Sequence, residues 1–342
     1  MRTSVLVTGG CGFIGSNFIR WALERHEDWR IVNVDKLTYA GNPANLKDIE
    51  SEERYRFVRA DIADAPTMAD LMRGVDLVVH FAAESHVDRS LMAADEFVAT
   101  NVYGTYALLV AARDNNVRGF LYVSTDEVYG PIGPENPARE ESAFKPANPY
   151  AASKAAGELL ATSFHSTYGL PVLVTRGANT IGPYQHPEKA VPLFATNALD
   201  HQDIPLYGDG LHVRDRLYVS DHCAAIDVVL DRGTPGEAYN VWAGNDWDNK
   251  SVAEFIVHQL DRDSTLIRHV EDRPGHDRAY YMDGSKLEAL GWRPEFGCQE
   301  ALRKTVDWYA TNREWWQPLK QAGYQDYYRR QYGDRLASTG AN

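Results

Sequence analysis

The sequence predicts an α/β protein, a parallel sheet doubly wound by helices, followed by a smaller mixed α/β lobe. Three observations predict it. Short apolar runs, each the length of a buried strand, alternate with helical patterns through the first half of the chain. Glycines at 9, 12 and 15 separate the first such run from the first helix. Past Pro183 the alternation gives way to shorter segments in which Pro and Gly are frequent.

Val5-Leu6-Val7 is the first strand. Gly9 permits the tight turn that leaves it, Gly12 lets a pyrophosphate approach the backbone, and Gly15 lets the following helix pack on the strand. That helix, patterned through Phe18, Ile19, Trp21 and Leu23, presents free N–H groups and the positive end of its dipole to phosphates. Ile31-Val32-Asn33-Val34 is the second strand and ends in Asp35. An acid about twenty residues past the glycines is placed for the adenosine ribose hydroxyls of a dinucleotide. Its charge favours NAD over NADP, whose 2′-phosphate it would repel. This is the Rossmann type of sheet.

Phe57 to Ile62 reads as the third strand. Asp61 near its end has two readings, a hydrogen bond to adenine or a cap on the next helix. Val75 to Phe81 is the fourth strand and runs into Ala82-Ala83-Glu84-Ser85-His86, where two alanines leave room for a cofactor to pass. Ser85 and His86 are candidates to face substrate, although His86 also reads as a loop histidine with no role. Asn101 to Arg113 has the pattern of an amphipathic helix. Phe120 to Thr125 is the fifth strand and Pro171 to Arg176 the sixth. A cofactor-binding domain with the catalytic residues is expected over 1–183, and a mainly substrate-binding lobe over 184–333, with some segments returning to the sheet. A flexible tail is expected over 334–342.

Composition narrows the function classes. No run among the 342 residues reaches the length of a membrane-spanning helix, and the net charge of −13 argues against a nucleic-acid surface. Met1-Arg2-Thr3 leads straight into the first strand, which is too short a lead for a signal peptide. Cys11, Cys223 and Cys298 are odd in number and widely spaced. They offer no disulfide framework and no zinc spacing, so a reducing cytoplasm and no metal are expected.

The chemistry concentrates where the fifth strand ends, in Ser124-Thr125-Asp126-Glu127-Val128-Tyr129. That edge of an open α/β sheet is where ligands bind. Tyr150 and Lys154, four apart at the start of a helix, share one face. A lysine ammonium beside a phenol lowers its pKa, and a tyrosine so tuned takes a proton from an alcohol near neutral pH. Alone, the pair also fits a solvated helix face. In the lobe, Lys189, Arg214 and Arg273 are scattered cations that could converge on a diphosphate. Pro205-Leu206-Tyr207 offers an apolar platform for a planar base.

Gly9-x-x-Gly12-x-x-Gly15, Asp35, Tyr150-x-x-x-Lys154 and the strand count together resemble the extended short-chain dehydrogenase/reductase family, and within it the dTDP-glucose 4,6-dehydratases. The matching blocks are residues 82–90, 124–130, 148–154, 182–185 and 272–277. The Thr125-Asp126-Glu127 step is the most specific, because it separates dehydratases from epimerases. The resemblance implies oxidation at C4 of a nucleotide-linked hexose by NAD, loss of water across C5 and C6, and return of the hydride to C6. The product is a 4-keto-6-deoxy sugar for deoxysugar biosynthesis. Tyr150 would take the C4 hydroxyl proton, Glu127 the C5 proton, and Asp126 would protonate the departing C6 hydroxyl. Thr125 would hydrogen-bond the C4 oxygen, and Lys154 would hold Tyr150 and the nicotinamide ribose.

The resemblance further implies cofactor contacts at Phe13, Ile14, Asp35, Lys36, Leu37, Thr38, Asp61, Ile62, Phe81, Ala82, Ala83, Ser85 and Thr100. Substrate contacts would fall at Ser85, Thr125, Asn179, Lys189, Pro205, Tyr207, Arg214, Asn249, Arg273 and His276. A homodimer through helices near 100–113 and 150–168 is implied as well. The chain departs from the family pattern at Thr180-Ile181, where Asn-Tyr is usual, and at Arg216, where Trp is usual. Tyr239-Asn240-Val241-Trp242 is also bulkier than the usual Gly-rich run. These departures leave the nucleobase and the sugar open. Two other readings stand beside dehydration. An epimerase or decarboxylase would keep Tyr150 and Lys154 but would not need Asp126 beside Glu127. A non-catalytic NAD-binding sensor would typically lack the Tyr/Lys pair.

Overall fold

Gly119–Thr125 (β5) is buried on both faces along its whole length, which only a covered parallel sheet accommodates. In this computed structural model, which describes residues 2–321, 323–333, 335 and 336, β5 lies inside a seven-stranded sheet. The other strands are β1 (Thr3–Thr8), β2 (Trp29–Asp35), β3 (Tyr55–Arg59), β4 (Leu77–His80), β6 (Val172–Gly177) and β7 (Ala238–Val241). Their order is β7-β6-β5-β4-β1-β2-β3, all parallel. Succession reverses between β1 and β4. A crevice opens at that point beyond the carboxyl ends of the strands.

The strand period of two sends alternate residues to opposite layers. Val5 and Val7 of β1 pack with Phe18, Ile19 and Ala22 of the Phe13–Arg25 helix. Leu6 between them packs on the other side with Leu108, Leu109 and Ala112 of the Thr105–Asp114 helix. The seventh strand comes from beyond Pro183 and pairs with β6, so the second half of the chain contributes to the first half's sheet.

Three expected elements shift. The third strand ends at Arg59 and the fourth at His80, short of Ile62 and Phe81, because the chain turns there toward the crevice. The helix expected over 101–113 begins as a π-helix, Val98–Gly104, before the α-helix starts at Thr105. Gly104 is pressed on Ile62, where a Cβ would stand 2.7 Å from the isoleucine side chain. The wide turn points Asn101 inward, where it bonds both the N–H and the carbonyl of Glu84 and reaches the Ser153 hydroxyl at 2.8 Å.

A second core lies in the lobe. It unites Phe194, Leu206, Ile256, Leu302, Val306, Tyr309 and Trp316. Two ties join it to the crevice rim: Trp315 donates to Asn45 Oδ1 at 2.8 Å, and Asn17 donates to the Pro183 carbonyl at 3.1 Å. Of the tail expected over 334–342, all but 335 and 336 lies outside the described residues.

Candidate active site

One cavity of about 410 Å³ follows the crevice. Every site residue named from the sequence lines it except Leu37 and Asp126. Leu37 stands apart from its neighbours Asp35, Lys36 and Thr38, which line the cavity. Its backbone has φ 60°, its N–H donates to Asp35 Oδ1 at 2.8 Å, and its side chain packs against the hydrophobic core. Asp126 lies one residue behind the wall, 1% exposed.

The glycine loop fits a dinucleotide. A Cβ on Gly9 would stand 2.6 Å from the Ala82 nitrogen, and one on Gly15 would stand 2.4 Å from the Gly9 carbonyl. No side chain caps the Phe13–Arg25 helix, so its first N–H groups are open to a phosphate. Asp35 at the end of β2 accepts from the Cys11 and Leu37 amides at 2.9 and 2.8 Å. A carboxylate has about four acceptor sites, so capacity for ribose hydroxyls remains. These residues fit NAD. Asp61 does not cap the next helix. Asp64 caps it, and Asp61 forms an ion pair with Lys36 at 2.6 Å.

The proton-handling groups gather at the end of β5. Thr125 caps a 3-10 turn, Asp126–Tyr129, and its hydroxyl accepts from the Glu127 amide at 3.3 Å. The same hydroxyl lies 3.0 Å from Asp126 Oδ1. Asp126 Oδ2 is buried without a partner. Burial, then the charge on Glu127, pushes Asp126 up to about 8, which favours its protonated form near neutral pH. Glu127 lines the cavity and takes a hydrogen bond from Asn148 Nδ2 at 3.2 Å. Asn148 also caps the Pro149–Tyr168 helix by accepting from the Ala151 amide at 2.9 Å. One asparagine thus fixes both the carboxylate and the helix that carries Tyr150. An Asn before a Pro at the first helical position was the sequence signal for it.

The expected influence of Lys154 on Tyr150 is corrected. The ammonium donates to the Val123 carbonyl at 2.6 Å and lies 4.2 Å above the Tyr122 ring. Burial draws Lys154 down to about 7, with Glu158 pulling the other way. Burial, then the charge on Glu127, holds the Tyr150 phenol above its ordinary value, while hydrogen bonding to Thr125 favours the phenolate. In this state Tyr150 is a neutral phenol.

At the far end, Lys189 Nζ donates to the Ser85 carbonyl at 2.6 Å, which joins the lobe to the loop after β4. Asp88, buried and not singled out in the sequence, is a hub. It pairs with Arg273 and accepts from Tyr207, Tyr327 and Gln331 at 3.2 Å each. These ties hold it down to about 2 against the effect of burial. Arg273, expected at the substrate, lines the cavity and is paired with Asp88. His86 is buried on the cavity wall with its Nε2 3.3 Å from the Glu188 carbonyl. Thr180 keeps its place on the wall despite the departure from the family pattern, 2.8 Å from His222 Nδ1.

His212, Asp272 and His276 come together in a way that spacing did not reveal. The two imidazoles are stacked 3.7 Å apart at 10°, each against one oxygen of Asp272. A metal held by both must lie in both ring planes, and near-parallel planes so far apart share no nearby point. Asp272 holds His276 by a hydrogen bond at 2.7 Å, and the His212 ring stacks on that of His276.

The comparisons with known proteins agree with this geometry. Residues 6–305 match the family described as GDP-mannose 4,6 dehydratase. The dTDP-glucose 4,6-dehydratase of Streptomyces niveus is 49% identical over 321 residues, covering 92% of this chain and 95% of that protein. DesIV, a dTDP-glucose 4,6-dehydratase from Streptomyces venezuelae with NAD and dTDP bound, superposes with a TM-score of 0.91 at 48% identity, covering 93% of this chain and 100% of that one. The UDP-glucose 4-epimerase of Thermus thermophilus, in complex with NAD, gives 0.84 at 30% identity, covering 91% and 100%. The scaffold therefore hosts more than one chemistry, and the higher identity lies with the dehydratases. The chain belongs to the GDP-mannose 4,6 dehydratase family, on the branch of the dTDP-glucose 4,6-dehydratases, within the extended short-chain dehydrogenases/reductases.

Proposed function

We propose that this protein is an NAD-dependent hydro-lyase that converts dTDP-glucose to dTDP-4-keto-6-deoxyglucose, a step of deoxysugar biosynthesis. The observation that carries the reading is a buried Asp126 beside a cavity-facing Glu127, with the Thr125 hydroxyl, which lines the same cavity as Tyr150, 3.0 Å from Asp126 Oδ1. An epimerase needs no such acid.

Bound NAD would supply a two-electron acceptor for the C4 hydride and would give that hydride back at C6, so that the net change is loss of water. The sugar's C5 hydrogen is not acidic while C4 carries an alcohol, and becomes so when C4 is a ketone. Tyr150 Oη takes the C4 hydroxyl proton, and Thr125 Oγ1 steadies that oxygen. Glu127 then removes the C5 proton and later returns one. Asp126 holds the proton for the departing C6 hydroxyl. Because it stands behind Thr125, that proton reaches the cavity by way of Thr125 Oγ1. The threonine hydroxyl donates to Asp126 Oδ1, so the relay reverses this bond: the carboxyl donates to Oγ1 and the threonine O–H turns toward the sugar. Lys154 keeps the start of its helix against β5 and lies on the cofactor side of the cavity.

Residues 1–183 serve as the cofactor half, and 184–333 mainly as the substrate half. Among the described residues no helix is long and apolar enough to cross a membrane. The three cysteines are buried free thiols, and burial pushes Cys11 and Cys298 up to about 12. Cytoplasmic residence agrees with inert thiols. A homodimer is supported by exposed apolar residues on the Val98–Asp114 and Pro149–Tyr168 segments: Val98, Tyr103, Tyr106, Leu159 and Tyr168.

The test is turnover of dTDP-glucose in heavy water. Expected are loss of water, solvent deuterium at C5, and transfer of the original C4 hydrogen to C6. Recovery of intact sugar, inverted at one carbon and without C5 label, would replace dehydration by epimerisation.

A further inference from the structure

The lobe's cations divide by whether a carboxylate already holds them. Arg273 is paired with Asp88, and Arg278 with Asp209. Arg214 and Arg216 have no carboxylate within ion-pair distance among the described residues, and both line the cavity. They sit two apart on an extended stretch, so they share a face. Asp215 between them turns the other way and spends its oxygens on the Ala243 and Asn245 amides at 2.6 and 2.8 Å. Arg214 is satisfied by carbonyls, those of Val213 and Asp277 at 2.6 and 2.8 Å, and stacks 4.3 Å over the Tyr280 ring. Arg216 is 4% exposed, donates one N–H to Asn249 Oδ1, and leaves its Nε without a partner.

Two guanidiniums without carboxylate partners on one cavity wall repel each other and call for a dianion. Burial first, and the Arg214 charge second, draw Arg216 below its ordinary value. The acids that oppose this, Asp215 and Asp248, are each held by amide donors, and Asp248 also by the Ser251 hydroxyl. Asn249, expected to touch substrate, is oriented by Arg216. The partly free cation at Arg273 also has an unpartnered Nε, but its charge is already balanced by Asp88.

We infer that Arg216 is a substrate-binding residue, which with Arg214 and Asn249 forms a two-guanidinium seat for the diphosphate of the nucleotide sugar. This rests on the proposed nucleotide-sugar activity and deepens it. Arg216 adds to the expected contacts at Arg214, Asn249 and Arg273, and stands at a position where the family pattern has tryptophan. The seat distinguishes diphosphates from monophosphates by charge, whatever the base.

The experiment is calorimetric titration of the NAD-loaded protein and its Arg216→Gln and Arg216→Lys variants with dTDP, dTMP, UDP and GDP, alongside kcat and KM for dTDP-glucose. For Arg216→Gln, dTDP binding is expected to weaken about tenfold to a hundredfold and dTMP by less than about threefold. KM should rise in step while kcat stays within about twofold, because the ground and transition states share this contact. Lys should restore part of the loss. An unchanged dTDP affinity, or equal losses for dTDP and dTMP, overturns the inference. If the wild-type protein prefers UDP or GDP, the thymidine assignment falls, and the same loss is then expected on that diphosphate. If it binds no nucleoside diphosphate, both readings fall. Should the Gln variant fail to fold, the Lys variant and the salt dependence decide. Wild-type dTDP affinity that does not fall with added salt more steeply than dTMP affinity overturns the seat.

Discussion

Asp126 is the residue on which pH acts most plainly. The folded protein holds its proton up to about pH 8, whereas the unfolded chain releases it near pH 4. Between those values the folded state binds more protons, so stability falls as pH rises. Asp126→Asn removes this dependence. The variant's melting temperature, relative to wild type, is expected to climb between about pH 5 and pH 8. Its turnover should drop by about 10²–10⁴, as for loss of a general acid, and Thr125→Val should lose a similar amount if the proton passes through that hydroxyl. A Thr125→Val variant that keeps most of its rate would mean direct delivery from Asp126. Glu127→Gln keeps the hydrogen bond from Asn148 in reach but cannot accept the C5 proton. Rapid mixing with dTDP-glucose should show reduced nicotinamide accumulating while 4-keto-6-deoxy product falls by about 10²–10⁴.

At the scale of elements, the glycine loop sets the sharpest limit. In Gly15→Ala the new methyl would meet the Gly9 carbonyl, a backbone atom that cannot swing aside. Overpacking of this kind costs about 1–3 kcal/mol, and the loop must shift away from the phosphate position. The expected outcome is a purified protein with little bound NAD and a lower melting temperature, read by absorbance and calorimetry. This loop, β5 and the helix at Tyr150 were legible in sequence because each is specified locally: glycine spacing, an unbroken apolar run, and an Asn-Pro start. The π-turn at Asn101 was not, because its partners, Glu84, Ser153 and Ile62 against Gly104, lie far off in sequence. Nor was β7, four residues whose pairing with β6 becomes visible only when the lobe has returned to the sheet.

For the whole molecule, the exposed apolar stripe is the feature most open to test. Leu159 is 60% exposed on the Pro149–Tyr168 helix. A charge there should leave the monomer's fold intact and split a dimer, so Leu159→Glu is expected to halve the mass seen by light scattering. A wild-type protein that is monomeric at working concentration would remove that assignment. The sequence was a partial guide at this scale. Nearly every site residue it named lines the cavity, but those residues are only about half of the lining, and Asp88, Glu188 and Tyr332 were not among them. It missed which cations were already spent, since Arg273 and Asp88 are 185 residues apart and nothing local foretells their pairing.

That pairing also governs how the cleft empties. A strand residue, a loop arginine and a terminal helical segment all fasten on the one Asp88 carboxylate, so none can peel away singly. The expected exit of the finished sugar nucleotide is a single unlatching of all of them. Softening the latch by Asp88→Asn, which keeps an acceptor but drops the charge, should quicken dTDP release in stopped-flow displacement even as the protein becomes less stable. A release rate no faster than wild type would separate the latch from the exit step.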